Sequence, residues 1–318
     1  MHLPKLFYFV YFGAMASIGP FFGLYYQELG LSGSQIGVLT ALPPLIMMVA
    51  APLWSGLADV TRQHKRVMLI TLAGAWGCLW ILQRSARFYP LLVIVSLYAF
   101  FLSPVLALVD NAVLAMLGPR RADYGKQRVL GSLGPGVAGP LVSAWADRIG
   151  LRAAFYSALT FMACAWGVAS RLDIGSNTDK LSDDVQPPLS FCQGLRVLLT
   201  DRRLTFFLLI AFLGMMGRST TFTYLFPYME TLGAPKSMMG FTLTVLTIGE
   251  VPFLLYSGKI LARWGTRGMI TMSLLASAAM LLTISWMQAP WLAVLVHLLH
   301  GFSYSGMWVA GVSHASEL

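Results

Sequence analysis

The sequence predicts an all-α polytopic membrane protein made of two repeated six-helix bundles, the second lacking its last two helices. Three observations carry this. Apolar runs of about 20 residues, the length that crosses a bilayer core, recur from end to end. Charged residues are 11% of the chain and hydrophobic ones 57%, with mean hydropathy +0.69, against about 25% charged in soluble domains. A single soluble core has no room for so many continuous runs. The third observation is an internal repeat, which sets the number of bundles.

Ten spans are expected, at residues 5–27, 35–58, 67–83, 90–117, 128–147, 152–171, 204–229, 237–258, 267–287 and 290–312. Polar or Gly/Pro stretches separate them. In span 1, Ala14-Met15-Ala16 mimics a signal-peptidase site, but the apolar run continues through Tyr26, so a membrane span is expected. Span 2 closes on Ser55-Gly56 and a basic loop. Span 5 is crowded with Gly131, Gly134, Gly136 and Gly139 beside Pro135 and Pro140. Small residues let helices approach closely and proline frees backbone carbonyls, so both tight packing and bending stay open. After span 6 comes the longest polar break, from Leu172 to Arg203. The expected domains are therefore 1–171, a linker 172–203, and 204–318.

The repeat matches Tyr25, Leu29, Gly30, Ser34 and Gly37 to Tyr228, Leu232, Gly233, Ser237 and Gly240 at an offset of 203. Ser55-Gly56 then matches Ser257-Gly258 at 202. Span 1 thus pairs with span 7 and span 2 with span 8. The first half holds six spans and the second four. A parallel duplication gives six plus six, so a partial chain is the expectation.

The charge of +9 sits mainly in short loops, the membrane pattern, and argues against nucleic acid as partner. With the N-terminus inside, one face holds Lys5, Arg62, Lys65, Arg66, Arg120, Arg121, Lys126, Arg128, Arg171, Lys180, Arg196, Arg202, Arg203, Lys259, Arg263 and Arg267, 16 in all. The other holds 5: Arg84, Arg87, Arg148, Arg152 and Lys236. The asymmetry predicts a cytoplasmic N-terminus and linker. Cys78, Cys164 and Cys192 have neither metal-ligand nor disulfide spacing. No G-x-x-x-x-G-K-[ST], zinc-spaced His/Cys set or G-x-S-x-G occurs. ATP-driven transport by this chain alone and standard hydrolase chemistry are unsupported, and no metal or cofactor is expected.

Titratable groups inside a bilayer are costly and usually face a water-filled cavity. Asp110-Asn111 in span 4, Arg218 in span 7, Glu250 in span 8, and His297 with His300 in span 10 all break apolar text. Asp110 also fits a helix-end position. Arg218 lies about 14 residues, ~21 Å, from its cytoplasmic helix end, too far to snorkel, and needs an internal anion. Asp110 and Glu250 are the two candidate partners. His297 and His300, three apart, share a helix face and also suit hydrogen bonds between helices. Spans 3, 6 and 9 have no interior charge and read as lipid-facing scaffold, leaving spans 4, 7, 8 and 10 to line a path. Asn111, Tyr224, Tyr304 and Trp308 are candidates to line a substrate.

The loop after span 2, Gly56-Leu57-Ala58-Asp59-Val60-Thr61-Arg62-Gln63-His64-Lys65-Arg66, resembles the signature loop of the major facilitator superfamily. Val60 stands in place of its basic residue, and the later glycine is absent. Asp123-Tyr124-Gly125-Lys126-Gln127-Arg128-Val129-Leu130-Gly131-Ser132, with Leu102-Ser103-Pro104 and Asp110 upstream, is similar to the phenylpropionate-permease-like branch, related to lactose permeases. That branch commonly has Trp where this chain has Leu130. The resemblance implies a twelve-helix fold, proton-coupled symport of a small solute, and a bacterial inner-membrane location. It implies Asp110, Arg218, Glu250 and His300 as pathway residues. Gly56, Asp59, Arg62, Asp123, Tyr124, Gly125 and Arg128 are then the cytoplasmic gate motif, with Asp123 and Arg128 as loop determinants.

The expected function is secondary transport by alternating access, with a small organic solute held near the midplane between the halves. Glu250 or Asp110 takes up a proton, since a carboxyl removed from water favours its neutral form. Arg218 holds that carboxylate or an anionic substrate, and His297 or His300 relays the proton. The alternatives are a non-transporting membrane sensor or scaffold, for which the linker is too short to form a folded domain, and an inactive partial transporter.

Overall fold

The computed structural model describes residues 2–117, 124–172 and 202–317, apart from the side chains of 124–126, 202–204 and 312–317. The linker, Asp123 and the surroundings of Tyr124 and Gly125 lie outside what is described. The chain divides into two compact units, Met1–Asp184 and Val185–Leu318.

In the first unit, α1 (Leu3–Ile18) passes through a 3₁₀ turn at Gly19–Phe21 into α2 (Phe22–Glu28). Pro20 lacks the N–H that an unbroken ladder needs there. Next come α3 (Gly33–Thr61), α4 (His64–Leu82), α5 (Phe88–Leu102), α6 (Val105–Leu117), α7 (Tyr124–Ile149) and α8 (Arg152–Arg171). Ser32 opens α3 with a capping box to Gln35, satisfying two otherwise orphaned N–H groups. Ser103-Pro104 separates α5 from α6 inside one apolar run, Phe88–Leu117. Helix α1 packs on α7 and α8, α4 on α5 and α8, and α3 on α5. Phe7, Tyr8, Phe21, Leu24, Met68, Leu72, Leu79 and Phe155 fill the interior. Outside it, Leu45, Met48, Val49 and Leu53 of α3 are exposed. Because the helix satisfies its own backbone groups, such a face suits lipid.

The second unit holds α9 (Arg202–Thr231), α10 (Lys236–Trp286), α11 (Trp291–Val296) and α12 (Gly306–Glu317). Helix α10 is two spans merged across Gly265, whose φ of 66° and ψ of 172° are not helical. Between α11 and α12 the chain is 3₁₀ at His297–Leu299 and π at Gly301–Ser305. The small core joins Phe253, Met269 and Ala310. Among the described residues, ten spans are therefore present, six in the first unit and four in the second.

The repeat has a structural counterpart at each turn. Gly30 and Gly233 both take positive φ, 73° and 78°, which glycine adopts without steric cost. At the same offset of 203, Arg62 (φ 52°) matches Gly265 (φ 66°). Among the described residues Arg62 is the one non-glycine residue with positive φ.

Tyr25 donates its hydroxyl to the carbonyls of Leu82 and Ser85, each at 3.0 Å. Tyr228, its repeat partner, donates to the Met287 carbonyl at 2.8 Å. Each ties the end of a first span to the end of a third. Tyr25→Phe and Tyr228→Phe are each expected to cost about 1 kcal/mol, the net worth of such a bond. Thermal unfolding in detergent checks this, with a fall of roughly 2–4 °C each. Unchanged midpoints would make the hydroxyls dispensable.

Candidate functional site

In the first unit, glycines build the site. A Cβ on Gly134 would lie 2.5 Å from the Phe9 carbonyl oxygen and 2.9 Å from the Gly13 nitrogen; one on Gly131 would lie 2.7 Å from the Phe12 ring. Helix α7 therefore rests directly on the backbone of α1, and the glycine-crowded span packs closely while staying continuous over Tyr124–Ile149. One turn before Gly131, Arg128 is brought beside α1. Its guanidinium stands 5.9 Å from the Phe12 ring centroid, and its Nη1 is 3.6 Å from Asp110 Oδ2. Tyr8, fully buried, donates its hydroxyl to Asp110 Oδ1 at 2.5 Å. Both members of the charge pair are partly buried, with 28% and 22% of the side chain exposed. Asp110 is thus engaged by α1 and α7 within its own unit. Arg128 is its ionic partner, a pairing that the sequence, which marked Arg128 as a loop determinant of the gate motif at the start of span 5, did not name. Asn111 is exposed.

In the second unit, Arg218 of α9 donates from Nη1 to His300 Nε2 at 3.3 Å. Arginine has only donors, so this Nε2 is the bare nitrogen. The guanidinium also lies 3.6 Å from the Tyr304 ring centroid, a cation–π contact. His300, Tyr304 and Trp308, four apart, form a ladder with ring centroids 5.4 and 6.3 Å apart. Glu250 lies close enough to bear on the charge of Arg218. Ser305 donates its hydroxyl to Glu250 Oε1 at 3.1 Å. His297 donates from Nδ1 to the Ala293 carbonyl at 2.6 Å. Both histidines are 5% exposed. Tyr224 and Trp308 face outward on this unit at 40% and 46%.

The distorted helix has a local cause. A Cβ on Gly249 would collide with the Leu298 carbonyl, and one on Gly301 with the Gly249 carbonyl. Backbone meets backbone there, beside Glu250, where the 3₁₀ and π segments meet. A π segment shifts side-chain register, and Ser305 at its end faces Glu250. The sequence marked neither Ser305 nor Tyr8: a serine or tyrosine within a span carries no charge signal.

In the loop that the sequence marks as a candidate gate, His64 Nε2 lies 2.8 Å from Asp59 Oδ1. Gly56 lies in α3, and Arg62 caps that helix.

Helices of spanning length and apolar composition define an integral membrane protein. The family model described as MFS_1 like family matches residues 3–318, and the chain belongs to that family. It is 28% identical over 304 residues to the maltose permease of Geobacillus stearothermophilus, covering 94% of this chain and 74% of that one. A crystal structure of the nucleoside transporter NupG matches with TM-score 0.82 at 18% identity, covering 100% of this chain and 83% of that one. That of a D-xylose-proton symporter matches with TM-score 0.67 at 15% identity, covering 96% and 79%. The fold is that of the major facilitator transporters, and the substrate class is small molecules.

Proposed function

We propose that the protein carries a small polyhydroxylated solute by alternating access, coupled to protons, with the two clusters dividing the work. Asp110 and Arg128 bind the solute. A carboxylate accepts hydroxyl protons and a guanidinium donates to hydroxyl oxygens, so the pair complements adjacent hydroxyls. The maltose permease likeness over 94% of the chain supports this class.

The second cluster handles the proton, and one observation carries that reading: Arg218 donates to a bare His300 Nε2 at 3.3 Å. A proton arriving at that nitrogen removes the acceptor and sets two cations face to face. The guanidinium is then driven toward Glu250. Glu250 carries the proton, His300 relays it, and Arg218 holds whichever base is empty. His297, whose Nδ1 is committed to the Ala293 carbonyl, backs His300 as a second relay. Tyr224, Tyr304, Trp308 and Asn111 line the solute path. Gly56, Asp59, Arg62, Asp123, Tyr124 and Gly125 form the gate on the basic face, and Arg128, at the end of that motif, faces Asp110 and belongs to the solute pair. The domains run 1–171 and 204–318 around the linker 172–203. In a bacterial plasma membrane the N-terminus and linker are cytoplasmic, by the 16 to 5 asymmetry.

Proteoliposome uptake tests this. Labelled maltose, xylose and uridine are offered with and without an inward proton gradient. Accumulation of at least one, driven by the gradient and lost in Asp110→Asn, is expected. Gradient-driven uptake of phenylpropionate alone would overturn the solute class and make Arg218 the anion's partner. Reporter tags at 30–32 and in the linker are expected on opposite membrane faces.

A further inference from the structure

Four of the five basic residues on the sparsely charged face, Arg84, Arg87, Arg148 and Arg152, belong to the first unit. Arg84 follows α4, Arg87 caps α5, Arg148 lies in the last turn of α7 and Arg152 opens α8; α4 and α8 pack together and leave between them an open groove of about 560 Å³. Trp76, Trp80, Tyr156, Thr160, Ala163 and Cys164 line it. Along α4, Trp76 and Trp80 lead at four-residue steps to Arg84, just past the helix end; along α8, Cys164, Thr160 and Tyr156 lead to Arg152. Four-residue steps keep each set on one helical stripe. Two stripes thus run side by side, each ending in an arginine at the same membrane face.

The geometry of the walls is fixed. Trp76 and Trp80 stack, with centroids 5.9 Å apart and planes within 7°. Trp76 Nε1 donates to the Leu159 carbonyl across the groove at 3.0 Å, closing its floor. The Arg84 guanidinium lies 4.5 Å from the Trp80 ring centroid, at the mouth. Both tryptophans are 37% exposed and Tyr156 42%, although they sit within helices of spanning length. What this groove meets is therefore hydrocarbon.

We propose that this groove is a binding site for an anionic phospholipid. One acyl chain lies along the stacked tryptophans, and the phosphate is held between Arg84 and Arg152. Guanidinium groups match phosphate in a forked, charge-assisted geometry. A face otherwise short of basic residues sets Arg84 against the lining Trp80 and Arg152 one turn beyond the lining Tyr156, and that charge complementarity selects the headgroup.

The test uses tryptophan quenching in vesicles of phosphatidylcholine containing either dibrominated phosphatidylglycerol or dibrominated phosphatidylcholine as the probe. The wild-type chain is expected to be quenched at a several-fold lower mole fraction of the glycerol lipid, roughly fivefold per arginine engaged. The preference is expected to vanish in Arg84→Gln/Arg152→Gln. In Trp76→Phe/Trp80→Phe/Trp145→Phe, which keeps both arginines and also removes the tryptophan 6.5 Å from the Tyr156 ring, the remaining tryptophans are expected to respond equally to the two lipids. Equal quenching of the wild type by both lipids would overturn the site, as would a preference that survives either the arginine or the tryptophan substitutions. The wild-type comparison and the tryptophan variant decide the matter even if the arginine variant does not fold.

Discussion

Glu250→Gln protein is expected to lose proton-driven accumulation while still inserting and equilibrating solute downhill. Glutamine keeps the size of glutamate and still accepts from the Ser305 hydroxyl, which sits 3.1 Å from Oε1, but it cannot carry a proton. At one proton per solute, a tenfold proton gradient is worth ~1.4 kcal/mol and supports about tenfold accumulation. The variant should fall to a ratio near one, with counterflow of labelled against unlabelled solute retained. Ser305→Ala is expected to keep coupling, because the hydroxyl touches the carboxylate without carrying its proton. Should Glu250→Gln still dissipate a pH gradient at the wild-type rate, Glu250 is structural and the proton travels elsewhere.

The spans were legible because run length is a local property: ten apolar stretches correspond to ten spans, even where α10 merges two across Gly265. The turns were legible too, since Gly30 and Gly233 match in the repeat and both take the left-handed backbone. Partnership was not legible. Asp110 and Arg128 meet on the stretch of α7 that Gly131 and Gly134 let settle on α1. A glycine cluster announces close approach but does not name the helix approached. Likewise the 3₁₀ and π segments after His297 arise where Gly301 meets Gly249 from a different span. No residue within span 10 states that contact, so the register that turns Ser305 to Glu250 had no signal in the sequence. Charge inside an apolar run pointed to Arg218, Glu250, His297 and His300; an uncharged Tyr8 or Ser305 fell below that signal.

Arg218→Ala is expected to lower the amount of folded protein as well as transport. The guanidinium cannot shed its charge, and the structure gives it three neighbours: the His300 nitrogen, the Tyr304 ring and the Glu250 charge. Asp110 is engaged by Tyr8 and Arg128 in the first unit, which makes Glu250 the partner to test first. Removing one member of a buried pair leaves the other uncompensated at about 3–5 kcal/mol, whereas exposed pairs are worth about 1 or less. Arg218 and Glu250 are both partly buried, so about 2–3 kcal/mol is expected, with some of it from lost contact with Tyr304. Arg218→Lys separates the terms: it keeps the charge near Glu250 but loses the planar contact with the ring, and should recover about half the folded yield. Glu250→Gln in the Arg218→Ala background should restore more yield than either change alone, because the stranded carboxylate is then neutral. Folded protein is read as the monodisperse fraction after extraction, and the coupling as the departure from additivity in the double-mutant cycle. If Asp110→Asn rescues Arg218→Ala and Glu250→Gln does not, the pairing runs to the first unit. If neither rescues it, the positive charge serves the solute directly, and uptake of an anionic solute should then depend on Arg218 alone.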